Sequence, residues 1–261
     1  MSLLTLPEPA NWPDGRSRST RASLAMTVLI LAGVLGGAHS VVRGDYFTAT
    51  VLFGLAVPFV LTFAMLHFVS RGKTALRASH DSSGTVLRTD RTFSATILVV
   101  LGLFVPLGAF VVVFTLTGDL RMFSGERARL AAMVVMGLAA VTALTGLLMA
   151  WRRGGVGYVK LTPTGIEVAD IKTTEIVAWD DIVGVDDHSE VNKKTRKAVV
   201  LRRRDGSEKT IDGCDFYVPN GVGLYWMVRH YWRHADDRPE LVDGRAMERL
   251  GEGRFDTSED G

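Results

Sequence analysis

Cysteine is almost absent from this chain, and so are recognisable catalytic patterns. The single cysteine, Cys214, excludes an intramolecular disulfide and a cysteine-based zinc cluster. A reducing cytoplasm fits this usage, and a buried, inert thiol is the simplest interpretation. No nucleotide-binding, metal-binding or catalytic-triad motif is present, so we expect no catalytic residues, no cofactor, no metal and no enzyme activity. The formal net charge of +2 gives no indication of a nucleic-acid partner.

Acidic and basic residues are missing from four windows in the first 151 residues. The windows cover residues 22–42, 46–70, 92–118 and 130–151, and are 21, 25, 27 and 22 residues long. A helix rises about 1.5 Å per residue, so even the shortest window spans roughly 30 Å, the thickness of the hydrocarbon core. A helix also satisfies its own backbone polar groups in lipid. The sequence therefore predicts a four-helix transmembrane bundle over residues 22–151, after an N-terminal arm of residues 1–21.

Basic residues flank these windows unevenly. Ten lie in the N-terminal arm, in the second loop or directly after the fourth window: Arg16, Arg18, Arg21, Arg71, Lys73, Arg77, Arg88, Arg91, Arg152 and Arg153. The other two loops carry four: Arg43, Arg121, Arg127 and Arg129. The positive-inside rule therefore predicts a multi-pass protein of the inner (plasma) membrane with both termini in the cytoplasm.

The first window has an alternative interpretation. Residues 24–35 have the length of the apolar region of a signal peptide, and the small residues Gly36 and Ala38 follow them. The long basic arm favours a membrane helix instead, and so does the three-residue link that leads into the second window. Cleavage would leave the orientation of the other helices unchanged.

Small residues and prolines interrupt the apolar windows. Gly33 and Gly37 have the GxxxG spacing that lets two helices approach closely. Residues 54–58 and 102–106 repeat a G-L-x-V-P pattern, and such paired prolines can mark the binding site of a transporter. The only ionisable side chains in the windows are histidines near helix ends, which favours kinks that serve packing. A small transporter or channel subunit remains the alternative.

The pattern changes after residue 151, where charges become frequent and apolar runs become short. Six β-type runs, at residues 158–161, 166–168, 176–179, 182–185, 197–203 and 208–211, are separated by turn residues. Six closely spaced strands cannot bury both faces of a flat sheet, so they predict a small β-barrel or sandwich. The predicted fold class is therefore α+β.

A helix is expected to close this domain. Leu224, Met227, Val228 and Tyr231 form one apolar stripe at helical spacing, and Asn220 is a plausible N-cap. Four basic or imidazole side chains lie off the stripe and are expected to be solvated: Arg229, His230, Arg233 and His234. The glycine- and acid-rich residues 239–261 are predicted to form a disordered tail.

Two segments of the second half carry a family resemblance. Residues 161–166 read Leu-Thr-Pro-Thr-Gly-Ile, and residues 179–185 read Trp-Asp-Asp-Ile-Val-Gly-Val. This resembles the "LT..GI... W.DI..V" signature of bacterial pleckstrin-homology-like (PH-like) domains, which are often joined to transmembrane helices. The resemblance implies a PH-like domain over residues 152–238, with Trp179 and Ile182 in its core, and a binding or scaffolding module. The Gly- and Ala-rich, Arg-over-Lys composition suits a high-GC bacterium, such as an actinobacterium.

Basic residues also gather near the last predicted hairpin. The candidates for binding a lipid or a partner are Arg152, Arg153, Lys193, Lys194, Arg196, Lys197, Arg202, Arg203, Arg204 and Lys209. Each base near an anionic leaflet contributes about 1 kcal/mol, although positive charge on a solvated hairpin edge also serves to resist strand pairing. We therefore expect a non-enzymatic anchor, scaffold or accessory subunit. Its partners would be the lipid bilayer, a protein or a second copy through the transmembrane helices, and no nucleic acid.

Overall fold

The chain divides into two units. The computed structural model describes residues 6–12, 15–120, 122, 125–171, 173–191 and 196–257, with residues 15–22 described by their backbone. The helical unit comprises Gly15–His67 and Ser94–Gly154. The β unit comprises Met1–Asp14, Phe68–Phe93 and Gly155–Gly261, so three separate segments of the chain contribute to it.

Four long helices account for the apolar windows. They are α1 (Gly15–Val42), α2 (Tyr46–Ser70), α3 (Arg91–Leu116) and α4 (Glu126–Arg153). Each contains a stretch long and apolar enough to cross a membrane, as in multi-pass membrane proteins, which confirms the four predicted helices. α1 and α4 extend beyond their apolar windows into charged flanks, because the hydrogen bonds of a helix do not require apolar side chains.

Close contacts at glycine pack the helices of the helical unit against one another. A Cβ at Gly33 would lie 3.0 Å from that of Ala56, and one at Gly37 would lie 2.8 Å from the Phe53 ring, so the GxxxG face of α1 contacts α2. A Cβ at Gly108 on α3 would lie 2.5 Å from the backbone oxygen of Met136 on α4. The small residues therefore serve packing within the chain.

The β unit contains eight strands in two antiparallel sheets. The strands are β1 (Arg77–Asp81), β2 (Gly84–Arg88), β3 (Tyr158–Thr162), β4 (Gly165–Ala169), β5 (Thr174–Ala178), β6 (Ile182–Asp186), β7 (Val199–Arg203) and β8 (Glu208–Ile211). One sheet has the order β1-β2-β3-β4-β5, and the other has the order β6-β7-β8. All six predicted strands are confirmed, and together with the helices they confirm the α+β class.

The hairpin β1–β2 is missing from the sequence prediction, which treats residues 71–91 as a basic loop. Its turn is closed by Asp81, whose Oδ1 accepts the backbone N–H groups of Ser83 at 2.8 Å and Gly84 at 3.0 Å. β2 pairs with β3 in a register that places Leu87 opposite Val159, and both side chains are fully buried. The loop between α2 and α3 therefore supplies two strands of the larger sheet.

One apolar core joins both sheets to the helix α5 (Val222–Arg233). Trp179 and Ile182 are 2% and 5% exposed, which confirms their expected place in the core. The indole Nε1 of Trp179 donates to the Thr162 oxygen at 2.8 Å, so the buried ring has its polar atom satisfied. Helix α5 confirms the predicted closing helix, although Gly221 occupies the N-cap position in place of Asn220.

Two expectations about the end of the chain are wrong. Arg229 and His230 are buried, at 9% and 6% exposure; the guanidinium of Arg229 stands over the Trp226 ring at 5.3 Å, and His230 Nε2 lies 2.9 Å from Asp237. Two further helices, α6 (Glu240–Asp243) and α7 (Arg245–Glu252), occupy much of the segment that the composition predicts to be disordered. Leu241 and Leu250 are fully buried in the common core, so a few apolar residues suffice to dock a mostly polar segment.

Candidate functional site

The bases of the last hairpin are largely paired with acids of the β unit. Glu175 on β5 binds both Arg203 and Lys209, and the Nζ of Lys209 lies 2.7 Å from its Oε2. Hydrogen bonds from Lys209 and then from Arg203 lower the pKa of Glu175. Arg202 binds Asp186, with 2.5 Å between its Nε and the carboxylate Oδ2. Much of the positive charge that the sequence assigns to lipid binding is therefore neutralised within the unit.

Arg196 and Lys197 have structural contacts. The guanidinium of Arg196 lies 2.8 Å from the carboxylate of Asp215, whose side chain is 1% exposed, and stands over the Phe216 ring at 5.6 Å. Burial raises the pKa of Asp215, and the charge of Arg196 opposes that rise. Lys197 donates to the backbone oxygen of Asn220 at 3.3 Å. Both bases therefore tie the start of β7 to the segment that precedes α5.

Three of the remaining five candidates are described, and one of these three belongs to the β unit. Arg204 is exposed and donates to a backbone oxygen at 3.0 Å. Arg152 and Arg153 are exposed at the end of α4 and belong to the helical unit. Lys193 and Lys194 lie outside the described residues.

A second group of bases lies where the β unit joins the apolar helices. Arg71, Lys73, Arg88 and Arg91 are exposed, and they take part in none of the ion pairs of the described residues. Arg71 directly follows α2, and Arg91 is the first residue of α3. Bases this close to the end of a membrane helix lie at the depth of lipid headgroups.

Residues 6–12, which we call the arm, belong to the β unit and pack against the rest of it. Its contacts are with a surface made by Asp187, Tyr225 and Trp226, which we name the arm-binding surface. The indole Nε1 of Trp226 donates to the backbone oxygen of Pro7 at 2.9 Å. Trp12 is 7% exposed, and its ring meets that of Tyr225 edge-on, with centroids 5.9 Å apart and planes at 73°.

Asp187 holds the backbone of the arm. This residue is 7% exposed, and its Oδ2 accepts the backbone N–H of Asn11 at 2.7 Å. Its other oxygen lies 3.4 Å from the side-chain nitrogen of Asn11 and 2.8 Å from the Nδ1 of His188. The hydrogen bond to Asp187 raises the pKa of His188. Two of the three contacts of this buried carboxylate are with the arm, and they fix the position of Asn11.

The arm-binding surface escapes sequence analysis because its members lie far apart along the chain. One signal is present in the arm itself, where a tryptophan and two prolines stand within seven otherwise ordinary residues. Proline stiffens an extended segment, and tryptophan is enriched at contact surfaces. A stiff, aromatic segment ahead of a membrane helix is an indication of docking.

A polar network holds the end of the chain to α5. His230 Nε2 lies 2.9 Å from Asp237, and Arg249 lies 2.7 Å from Glu240, which also accepts the Tyr231 hydroxyl at 3.2 Å. Burial lowers the pKa of His230, and the hydrogen bond to Glu240 raises that of Arg249. The network attaches α6 and α7 to α5, which is a structural role.

Reactive groups do not cluster in the described residues. In that part of the chain, no three His, Cys, Asp or Glu side chains come close enough to hold a metal ion. Cys214 is fully buried, as expected, and burial raises the pKa of its thiol. That thiol is therefore protonated and inert at neutral pH.

Comparison of the chain with protein-family models, with curated proteins and with solved structures found no match in any of the three. The contacts described above are therefore the basis for inferring a function.

Proposed function

We propose that this chain is a non-enzymatic, multi-pass membrane protein that displays a cytoplasmic PH-like domain for a protein partner. The helices would anchor the resulting complex, so that the chain acts as an anchor, scaffold or accessory subunit. The observation that carries the proposal is which segments of the chain form the β unit. Its strands come from the loop between α2 and α3 and from the segment after α4, so the domain is built into the membrane topology.

The three segments that form the β unit should all lie on the same side of the membrane. Residues 6–12, 68–93 and 155–257 belong to one folded unit, and a folded unit lies on one side of a membrane. α1 with α2, and α3 with α4, would then each cross the membrane and return. The excess of basic residues in these segments favours the cytoplasmic side. Both termini would therefore be cytoplasmic.

The PH-like assignment is supported by where the signature residues lie. Residues 161–166 run from the end of β3 through a tight turn into β4, and residues 179–185 run from a 3-10 turn into β6. Several strands followed by a closing helix are the layout that the resemblance implies, and α5 follows β8. PH-like domains of bacterial membrane proteins are binding modules, which is why we assign binding to this unit.

Charge pairing favours a protein over lipid as the ligand. Arg203 and Lys209 share the carboxylate of Glu175, and Arg202 pairs with Asp186, so the hairpin offers little unpaired charge to a leaflet. Apolar side chains stand exposed elsewhere on the unit, including Ile176 at 72%. This side chain provides a position at which a bound protein can be detected.

Photo-crosslinking in native membranes tests the proposal. A photoreactive amino acid would replace Ile176, Val183 or Val191, which are 72%, 53% and 85% exposed in the β unit, or Leu138 on α4 as the control. We expect a protein adduct of reproducible mass from the β unit, and lipid adducts from position 138. Adducts with lipid alone at all three β-unit positions would contradict a protein partner.

Orientation has a separate test, because the only native thiol is buried. Single cysteines at Arg43, Ser82 and Asp236 would be labelled in intact cells with a membrane-impermeant maleimide. We expect labelling of Arg43→Cys alone, and labelling of all three after the membrane is opened. Labelling of Ser82→Cys in intact cells would place the β unit outside and overturn the topology.

A further inference from the structure

The arm is held in the way a bound peptide is held. Residues 6–12 form no strand or helix; their one regular feature is a turn in which the Trp12 N–H donates to the Pro9 oxygen at 3.0 Å. Side chains of the arm-binding surface bond the arm's backbone, at the Pro7 oxygen and the Asn11 nitrogen. Receptors recognise extended peptides by this combination of backbone hydrogen bonds and buried side-chain anchors.

The side chains of the arm-binding surface determine which ligands it can bind. Trp226 supplies one donor, at 2.9 Å from its acceptor, and Asp187 supplies an acceptor that is largely shielded from water. The ring of Tyr225 contacts the indole of Trp12 edge-on. A suitable ligand therefore has a free carbonyl, a tryptophan or similar aromatic ring about five residues later, and an N–H directly before that ring. Proline near the carbonyl lowers the entropy lost on binding.

We propose that the arm-binding surface is a peptide-binding site, that residues 6–12 are its intramolecular ligand, and that it receives a proline- and tryptophan-bearing segment of the partner protein when the arm is displaced. This inference rests on the proposed function, because it specifies where the partner binds and what chemistry it presents.

The tether makes the arm a strong competitor. α1 begins at Gly15, so two residues separate it from Trp12. A short tether gives an effective concentration on the order of millimolar. A partner segment of micromolar affinity therefore gains the site only when the arm is released or when the partner is concentrated at the membrane.

A peptide-binding measurement on the full membrane protein tests the inference. The probe is a fluorescent peptide with the sequence of residues 6–12, and the receptor, in lipid nanodiscs, is either the full chain or a variant lacking residues 1–12. We expect the shortened variant to bind the peptide at least tenfold more tightly than the full chain. A peptide with Trp12→Ala is the control and should not bind. Absence of binding to a shortened variant that still melts cooperatively would overturn the inference.

Two substitutions in the shortened variant locate the binding. Trp226→Phe keeps an aromatic side chain, although a smaller one, and removes the donor to the Pro7 oxygen, so we expect about fivefold weaker binding. Asp187→Asn keeps the shape and removes the charge, so we expect about tenfold weaker binding. Arg245→Ala, at an exposed side chain on α7, is the matched control and should leave the affinity unchanged. Equal affinity in all variants would place the peptide elsewhere and overturn the site.

A second variant covers the case in which the shortened chain fails to fold. A protease site inserted between Pro13 and Asp14 lets the chain fold with its arm in place, after which the tether is cut. We expect labelled peptide to exchange into the cut protein and not into the uncut protein. An arm that stays bound without exchanging is part of the core, and that result would overturn the inference.

The experiments separate this inference from the proposed function. Protein adducts at Ile176 or Val183 together with no peptide exchange would retain the partner-binding function and reject the site. Capture of the arm of a second full-length copy, with no binding of free peptide, would reject a separate partner protein as the occupant.

Discussion

The helical unit and the β unit differ in how far along the chain their contacts reach. Each long helix is one continuous stretch whose backbone hydrogen bonds close within four residues. In the β unit, Leu87 on β2 lies opposite Val159 on β3, and two membrane-length helices, α3 and α4, stand between them in the chain. Local patterns therefore identify the helices and the later strands, but they do not reveal that a loop of the membrane half belongs to the soluble domain.

The order of the elements along the chain shows how the helical unit is connected to the β unit. The chain leaves the larger sheet after β2, forms α3 and α4, and returns in β3, which is the neighbour of β2. The ends of this insertion are held together, since the Thr89 N–H lies 3.5 Å from the Gly157 oxygen.

The largest expected effect comes from cutting the β unit at the boundary that sequence analysis predicts. A chain of residues 152–261 lacks β1 and β2, so β3 loses its neighbour and the cover of Leu87. Each large apolar side chain left exposed costs about 1.5–3 kcal/mol, which is a large share of a small domain's stability. We expect no cooperative unfolding transition in circular dichroism.

The matched control restores the missing strands without the membrane helices. Residues 68–89 would be joined to residues 157–257 by a short glycine linker, which is feasible because Thr89 and Gly157 are adjacent. We expect this fusion to unfold cooperatively. Cooperative unfolding of residues 152–261 alone would show that the hairpin β1–β2 is not required for the β unit to fold. The β unit would then not depend on contacts between distant segments of the chain.

One substitution, made in each unit, sharpens the comparison. Leu87 is fully buried in the β unit, and Leu138 on α4 is 62% exposed. Leu87→Ala removes apolar contacts and leaves a cavity, so we expect a loss of about 2–5 kcal/mol in the unfolding free energy of the β unit. Leu138→Ala should change it by less than about 0.5 kcal/mol. Urea unfolding in detergent, followed by tryptophan fluorescence, measures both. A similar loss from the two substitutions would contradict the assigned core.

Part of the fold follows directly from sequence. The windows without charge give the boundaries of the four helices to within four residues, apart from the start of α1, which lies seven residues before its window. Lipid imposes a strict requirement on length and polarity. The turns after Thr162 and at Gly206 place β3, β4, β7 and β8, since glycine and its neighbours accept the conformations that hairpins need. Trp179 and Ile182 were assignable to the core through the family resemblance.

The rest depends on contacts between distant segments. The turn at Asp81 and the apolar run of residues 85–87 are a hairpin signal, but the surrounding bases make the segment resemble an ordinary loop. Composition misses α6 and α7 because two buried leucines fix them. The hairpin bases are visible in the sequence, whereas their partners Glu175 and Asp186 are identified only by the pairing of the strands. The candidate site was therefore the least predictable part of the molecule.

A smaller effect is expected where the end of the chain docks on α5. Arg249→Ala leaves the carboxylate of Glu240, which is 12% exposed, without its main partner. We expect a loss of about 1–3 kcal/mol, concentrated in faster amide hydrogen exchange of α6 and α7. Arg245→Ala removes an ion pair that is 58% exposed on the arginine side, and we expect less than about 0.5 kcal/mol. Equal exchange in both variants would indicate that apolar contacts alone dock these helices.

The smallest effect is a dependence on pH in which two histidines of the β unit act in opposite directions. Burial lowers the pKa of His230, which faces Asp237, Arg249 and His234, so the folded unit binds fewer protons at this site than the unfolded chain. Its contribution is therefore complete above the ordinary value of about 6.5 and is lost as the pH falls towards the lowered pKa. The pKa of His188 is raised, so its contribution is complete below about 6.5 and is lost as the pH rises through the raised value.

Unfolding free energies measured from pH 5 to pH 8 separate the two histidines. His230→Gln should remove the loss of stability on the acid side, because no group at this position then takes up a proton. His188→Gln should remove the loss of stability that accompanies a rise in pH above about 6.5, because the protonated pair with Asp187 is then absent. Both histidines lie in the β unit, so the slope should persist in the fusion that lacks α3 and α4. A slope that vanishes in that fusion would place the titrating group in the helical unit. That result would contradict the assignment of the pH dependence to His188 and His230.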